Sequence, residues 1–335
     1  MSDDRKSIVV IGGGSGSSVA LRGLKNYDVD LTVIVTMFDS GGSTGILREE
    51  FGYPPLGDIR QCLVALSPEE DEQVSVLNSA LDFRFDSGSS LQGHSVGNLV
   101  LAALTTAYNG IQGAIDELSR MMYLQGQIVP VTLDEAHLCA RLVDGTVIRT
   151  ESAIDLRGNN GPGISEVFLD ADVRANPRAL EAIKKADAVL LGPGDLYTSV
   201  IPNLLVEEVS TAIRETKSPV IYACNLMTKL GETAGYGAST FASEAVRYLG
   251  GRKLDHLLVN AAQFSPEVLG VYEAEDASPV ELDNADAEKF AHEIMVSDLA
   301  FVDGLTVRHD SEKLAAIVMA AAEQPVAKPP GTGLD

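Results

Sequence analysis

Asp39, Asp58 and His94 are the side chains best placed to do chemistry. Asp39 opens the run Asp39-Ser40-Gly41-Gly42-Ser43-Thr44-Gly45, and Asp58 closes Pro54-Pro55-Leu56-Gly57-Asp58. A carboxylate in such a loop can accept a hydroxyl proton or hold a metal and its bound water, so these two are also the metal candidates. Each has a structural reading beside the chemical one. Asp39 can bond the backbone of its own turn, and Asp58 can cap the helix that carries Ile59, Leu63, Ala65 and Leu66. His94 stands in Gly93-His94-Ser95-Val96-Gly97-Asn98, a glycine-flanked helix start where capping or packing competes with proton transfer. His137, His256 and His292 have no partner pattern and read as structural. No Ser-His-Asp elbow, H-E-x-x-H or EF-hand pattern occurs, so the residues name no reaction.

Three glycine-rich loops give a clearer signal. Gly12-Gly13-Gly14-Ser15-Gly16 follows the apolar run Ile8–Ile11 and leads into a helix read over Ser17–Lys25. Glycines let a ligand approach the backbone, and the unpaired N–H groups of a helix start favour an anion, usually phosphate. The Asp39 loop follows the run Leu31–Thr36, with Gly41, Gly42, Ser43 and Thr44 making a second candidate anion nest. Gly192-Pro193-Gly194-Asp195 follows Ala188–Leu191. The dinucleotide fingerprint fails, because the third glycine position falls on Ser17 or Val19 and no acidic residue ends the second strand. The P-loop fails too, for want of Gly-Lys-Ser/Thr. Arg308, with His309 and Asp310, can bring a guanidinium to a phosphate, or can belong to a surface ion-pair cluster.

These loops need a frame to bring them together. Short apolar runs alternate with helices at 177–185, 188–191, 204–215, 220–224, 241–248 and 256–259, which predicts an α/β fold with a doubly wound, mostly parallel sheet. Such sheets bind ligands at the carboxyl ends of their strands, where the three loops would converge. Asp144-Gly145 between 138–143 and 147–150 predicts a hairpin. Consecutive helices from about 59 to 125 predict a helical insertion in one domain spanning 1–323, followed by a disordered, proline-rich tail over 324–335. The formal charge of −23 over 335 residues argues against a nucleic-acid partner. Cys62, Cys139 and Cys224 are odd in number and widely spaced, as in a reduced cytoplasmic protein. Val96–Ala107 is apolar but too short for a membrane span. A homodimer and an unidentified protein partner both stay open.

Six blocks together resemble a known family: Gly12-Gly-Gly-Ser-Gly16, Asp39-Ser-Gly-Gly-Ser-Thr-Gly45, Pro55-Leu-Gly-Asp-Ile-Arg60, Gly93-His-Ser-Val-Gly-Asn98, Gly192-Pro-Gly-Asp-Leu-Tyr-Thr-Ser199 and Asn225-Leu-Met-Thr-Lys-Leu-Gly-Glu-Thr233. In order and content they look like the signature of the YvcK proteins, called gluconeogenesis factors, which are relatives of the CofD 2-phospho-L-lactate transferases. The resemblance covers about Ile8 to Asp310. It implies a three-layer Rossmann-like fold and a cytoplasmic protein that binds UDP-sugars, notably UDP-N-acetylglucosamine. It also implies a regulatory part in cell shape and wall synthesis on gluconeogenic carbon. Candidate ligand-binding residues are Gly12, Gly13, Gly14, Ser15, Gly16, Asp39, Gly41, Gly42, Ser43, Thr44, Asp58, Asn98, Gly192, Gly194, Asn225, Tyr272 and Arg308, of which the resemblance ties Tyr272 and Arg308 to UDP-sugar binding. Tyr272 would stack on a base or sugar, and Arg308 would neutralise the diphosphate. The alternative it carries is a magnesium-dependent transferase moving a phosphorylated group from a nucleotide-activated donor. Ser40 stands where paired aspartates are usual, and Leu230 where proline is usual. The first departure removes a carboxylate that a metal would want.

Overall fold

Ile8, Val9, Val10 and Ile11 are wholly buried, as in a parallel strand covered on both faces. The computed structural model, which describes residues 5–324 apart from 70, 87, 89, 90, 159 and 160, places them in β1 (Lys6–Gly12). β2 (Val29–Val35) and β3 (Gln127–Pro130) lie to one side of it. The chain then forms a separate antiparallel sheet from β4 (Leu138–Leu142), β5 (Val147–Arg149) and β6 (Ile164–Leu169), with the Asp144-Gly145 turn where the hairpin was expected. β7 (Ala188–Leu191) returns to pair with β1 on its free side. β8 (Val220–Ala223), β9 (Leu254–Asn260) and β10 (Ala291–Ser297) extend the sheet outward. A small hairpin, β11 (Ala300–Asp303) and β12 (Thr306–His309), follows.

The main sheet has seven strands in the order β10-β9-β8-β7-β1-β2-β3, every pair parallel. This is the α/β, Rossmann-like arrangement that the alternation predicts. Strand order reverses at β1, so the carboxyl ends of β1 and β7 open the crevice where such folds bind ligands.

The helices in chain order are α1 (Gly14–Leu24), α2 (Gly42–Phe51), α3 (Gly57–Leu66), α4 (Glu72–Asp82), α5 (Val96–Ala107), α6 (Ile111–Met121) and α7 (Glu151–Asp155), then α8 (Pro177–Lys185), α9 (Ile201–Leu204), α10 (Glu207–Glu215), α11 (Ala238–Tyr248), α12 (Pro266–Glu273), α13 (Asn284–Ala287) and α14 (Ser311–Glu323). A π-helical turn, Leu196–Val200, precedes α9. Five helices, α2 to α6, lie between β2 and β3.

Several boundaries differ from the sequence expectation. The first helix begins at Gly14 rather than Ser17, and its first turn needs glycine because neighbouring chain lies too close for a side chain. A Cβ on Gly14 would sit 2.6 Å from the Cα of Asp58, and one on Gly16 would run into the carbonyl oxygen of Pro193. The helix read over 204–215 is split, with Leu205 and Val206 breaking α9 from α10. The three cysteines are free and buried. Among the described residues no helix is long and apolar enough to cross a membrane. The tail expected from 324 lies, beyond Gln324, outside the described residues.

Candidate functional site

The carboxyl ends of β1, β2, β7 and β8 surround a crevice of about 700 Å3. Its lining brings together Gly14, Ser15 and Gly16 from the first loop, Asp39 to Thr44 from the second except Ser40, and Gly194 and Asp195 from the third. Asp58, Asn98, Asn225, Tyr272 and Arg308 line it as well. Gly12, Gly13, Gly192 and His94 do not; they lie behind the lining. Gly12 accepts from Thr36 N and Asn203 Nδ2 through its carbonyl, and Gly192 N donates to Ile11 O at 2.8 Å. Gly12 and Gly192 thus join the strand ends beneath the crevice.

Two helices open into this crevice without a side-chain cap. α1 follows Gly13 and α2 follows Gly41, and neither N-cap residue offers an acceptor to the first-turn N–H groups. Such groups seek an anion. Asp39 supports the second loop in the way a turn residue does, since its Oδ1 accepts from Gly41 N at 2.8 Å. Its other oxygen faces Gly57.

Asp58 is not a helix cap. Leu56 precedes α3 and provides no side-chain bond, and Asp58 sits in the first turn with its carboxylate accepting from Gly14 N–H. The close approach of α3 to α1 puts it there. Burial, with the charge of Asp39 beside it, pushes the Asp58 carboxyl up to about 7.

Glu151, which sequence reasoning missed, completes this acidic wall. Burial and then Asp39 push its carboxyl up to about 8. The N–H of Ser40 donates to Glu151 Oε2 at 3.2 Å, and the Ser40 hydroxyl accepts from Ser152 N at 3.0 Å. Nothing in the spacing of Glu151 ties it to Asp39; only the packing of α7 on the loop does so.

His94 acts through its neighbours. Its Nδ1 lies 2.9 Å from Ser43 Oγ, and Asn98 Nδ2 donates to the same oxygen at 3.2 Å. This fixes the Asn98 amide, whose Oδ1 is buried without a partner, as is Asn225 Oδ1. Thr44 Oγ1 accepts from Gly57 N at 3.2 Å, joining the second loop to α3.

The Arg308-His309-Asp310 trio divides its labour. Arg308 is exposed on β12, and its side chain makes no hydrogen bond or ion pair among the described residues, which leaves the guanidinium outside the Lys313 ion pairs. Asp310 caps α14 by accepting from Glu312 N and Lys313 N. His309 Nε2 meets Cys224 O at 3.2 Å, and burial pushes its pKa down to about 4. Tyr272 OH accepts from Val307 N at 2.8 Å, so its hydroxyl is committed to holding β12 while its ring lines the crevice.

The depressed His309 gives a pH prediction. The unfolded chain takes up a proton near pH 6.5 and the folded one only near 4, so the stability this residue contributes is intact above 6.5 and lost as pH falls between those values. By pH 4 the loss reaches on the order of 3 kcal/mol. Replacement by glutamine removes that proton, so thermal midpoints of His309→Gln should fall less between pH 7 and pH 4 than those of the unsubstituted protein. Parallel curves would show that His309 is not held neutral.

Asp195 also belongs to an ionic knot at the crevice edge. Lys229 Nζ lies 2.7 Å from Asp195 Oδ2 and 2.9 Å from Glu232 Oε1, and it bonds Asp155 as well. The three carboxylates are close enough together to hold a metal ion, but the ammonium already stands among them. Burial opposes the Lys229 charge, yet the carboxylates hold its pKa well above the ordinary value.

The family model described as 2-phospho-L-lactate transferase CofD matches residues 8–300. The chain belongs to the CofD family. Within the CofD family it is similar to the gluconeogenesis factor of Bacillus subtilis, 36% identical over 316 residues covering 94% of this chain and 98% of that one. The gluconeogenesis factor of Halalkalibacterium halodurans is 38% identical, over 94% of this chain and 96% of that one. A crystal structure of a Bacillus halodurans protein, 38% identical, matches with a TM-score of 0.89 over 94% of this chain and 100% of its own. The YvcK resemblance and the α/β fold are thereby shown for this CofD-family chain.

Proposed function

We propose that the crevice binds a nucleotide sugar of the UDP-N-acetylglucosamine type, and that the protein is a cytoplasmic regulator reading that ligand in the control of cell shape and wall synthesis. The observation that carries this is the meeting of two helix starts whose N-cap glycines provide no side-chain cap, α1 (where Asp58 takes only the Gly14 N–H) and α2, with the unpaired Arg308 side chain in one crevice. In a chain of net charge −23, that concentration of N–H donors and one free guanidinium suits a diphosphate. Asn98 and Asn225 offer acceptors to a base N–H or sugar hydroxyl, and the Tyr272 ring offers a flat apolar face. The gluconeogenesis-factor names of the relatives support a regulatory reading. Isothermal titration with UDP-N-acetylglucosamine, UDP and NAD tests it, with heat expected from both uridine nucleotides. Strong heat with NAD alone would end it.

The acidic wall favours a second reading, a transferase acting on a nucleotide-activated donor. Asp39 and Asp58 would hold magnesium, and the orphaned, buried oxygen of Asn98 fits the same hard cation. Bound there, the ion would neutralise charge on the leaving diphosphate. Incubation with magnesium, guanosine- or uridine-activated donors and an acceptor should then release free nucleotide. Donors recovered intact would remove this reading and leave the binder.

A further inference from the structure

A second cavity, of about 770 Å3, opens at the far end of α2. Its lining has no residue in common with the crevice. The first turn of α2 lines the crevice, whereas Arg48 in its last turn lines the cavity. The segment Tyr53–Pro55, the start of α6 and the connection from β3 to β4, with Leu133 and His137, complete the walls.

Three features of these walls call for an anion. Arg48 is half-buried and donates only to carbonyl oxygens, those of Asp39 at 3.5 Å and of Ala136; among the described residues it pairs with no carboxylate. Burial pulls its pKa below the ordinary value, as expected of a guanidinium taken partly out of water without a counter-ion. His137 Nδ1 is buried without a partner, which is costly unless something meets it. The third feature is the start of α6, where Gly110 provides no side-chain cap and Ile111, Gln112 and Gly113 line the cavity with first-turn N–H groups. The nearby acids do not fill this role. Asp170 is engaged by Arg149 Nε at 2.9 Å and by His137 N at 2.7 Å, and Asp134 accepts from Arg174 N at 2.8 Å. Glu49 and Glu135 are exposed in the lining and would repel a polyanion, so a single anionic group suits the space. Met37, Tyr53, Pro54 and Pro55 offer an apolar wall to the rest of the molecule.

We infer that this cavity is a second ligand site, for a small organic molecule bearing one carboxylate or phosphate, with Arg48 and the N-terminus of α6 holding the anionic group. A guanidinium has five N–H donors, and the two carbonyls leave Arg48 enough of them to grip a ligand without releasing Asp39. Asp39 supports the second glycine loop, so the occupied cavity and the crevice would be joined through α2. The assignment does not depend on what the crevice binds.

The chain contains no tryptophan, which makes a site-specific test possible. Leu133 lines the cavity and is 53% exposed, so Leu133→Trp places one fluorophore there at little cost to packing. The full-length Leu133→Trp protein is titrated with cyclohexanecarboxylate and with cyclohexyl phosphate at constant ionic strength, and with cyclohexanol as the neutral probe. A saturable change in emission is expected with at least one anion, which identifies the head group, and none with cyclohexanol at the same concentrations. Adding Arg48→Gln should weaken that binding by about tenfold or more, through loss of a charge-assisted contact. Adding Asn109→Asp instead should weaken it by about threefold, because a negative charge then stands before the α6 start. Asn109 is exposed with a φ of 53°, a conformation aspartate tolerates, so this variant keeps the test open if Arg48→Gln does not fold. Thermal midpoints check both. No saturable response to either anion, an equal response to cyclohexanol, or unchanged affinity in either folded variant would overturn the assignment. Nucleotide is absent throughout, so failure here and failure of the nucleotide reading are told apart.

Discussion

Replacing Arg308 by alanine should weaken UDP-N-acetylglucosamine binding by tenfold to a hundredfold, about 1.4 to 3 kcal/mol, and leave the thermal midpoint where it was. The two halves of that expectation have separate grounds. Affinity falls because charge-assisted bonds from a guanidinium exceed those of neutral donors, and the crevice wall is otherwise rich in carboxylates. Stability holds because the Arg308 side chain is exposed and engages nothing among the described residues, while the strand that carries it is held by Val307 N on Tyr272 OH. Arg308→Lys should recover only part of the affinity, since a point charge cannot reproduce a planar fork. Arg120→Ala is the control. That arginine lies on α6 outside the crevice, pairs with Glu117, and should be silent in titration. Equal affinities for the Arg308 and Arg120 variants would take Arg308 out of the ligand's reach.

Lys229→Met should have the largest effect on stability. It leaves Glu232, whose side chain is 1% exposed, beside Asp155 and Asp195 with no countercharge. Removing one partner of a buried pair costs about 3 to 5 kcal/mol, and the lower end is expected because Asp155 and Asp195 are partly wetted and screened. Burial already pushes the Glu232 carboxyl up to about 7 against the pull of Lys229. Without that pull it should protonate more readily, so the deficit should shrink as pH falls below neutrality. Adding Glu232→Gln should return part of the loss. Urea denaturation with an unchanged slope measures both, and a single-variant deficit below about 1 kcal/mol would mean that water, rather than Lys229, solvates the cluster.

Which parts of this could be read in the sequence follows from burial. β1, β7 and β8 carry continuous apolar runs, and β2 and β9 end in shorter ones (Val33–Val35 and Leu257–Val259), because helices cover both faces of the sheet, and that pattern is visible without a structure. β10 was not legible. It is an edge strand, Ala-His-Glu-Ile-Met-Val-Ser, with His292, Glu293 and Val296 exposed, so neither alternation nor a run marks it. α2 was hidden for another reason. Gly42-Ser43-Thr44-Gly45 has poor helix propensity and reads as loop, yet it forms the first turn of α2. In the crevice, the glycine loops were legible because their chemistry is local to each. Asp58 was found, and of its two readings the structure removes only the helix cap, which sequence could not do because its partner Gly14 is far away in sequence. Glu151 left no trace, because its role exists only through the docking of α7 on Ser40.

The place of β1 in the sheet also governs how the protein is made. β1 leaves the ribosome first, and β2 follows soon after, but its other neighbour pairs Ile8 with Ala188. Until that partner is synthesised, a strand with four wholly buried apolar residues has an open edge available to other nascent chains. Arg308 emerges later still, and α14 after it, which packs on α1 where Gly23 meets the Ser311 backbone. Most contacts join segments far apart in sequence, so β1 waits through a long interval of exposure. No ligand of the finished crevice can rescue a nascent chain during that interval, because the wall that would grip it does not yet exist.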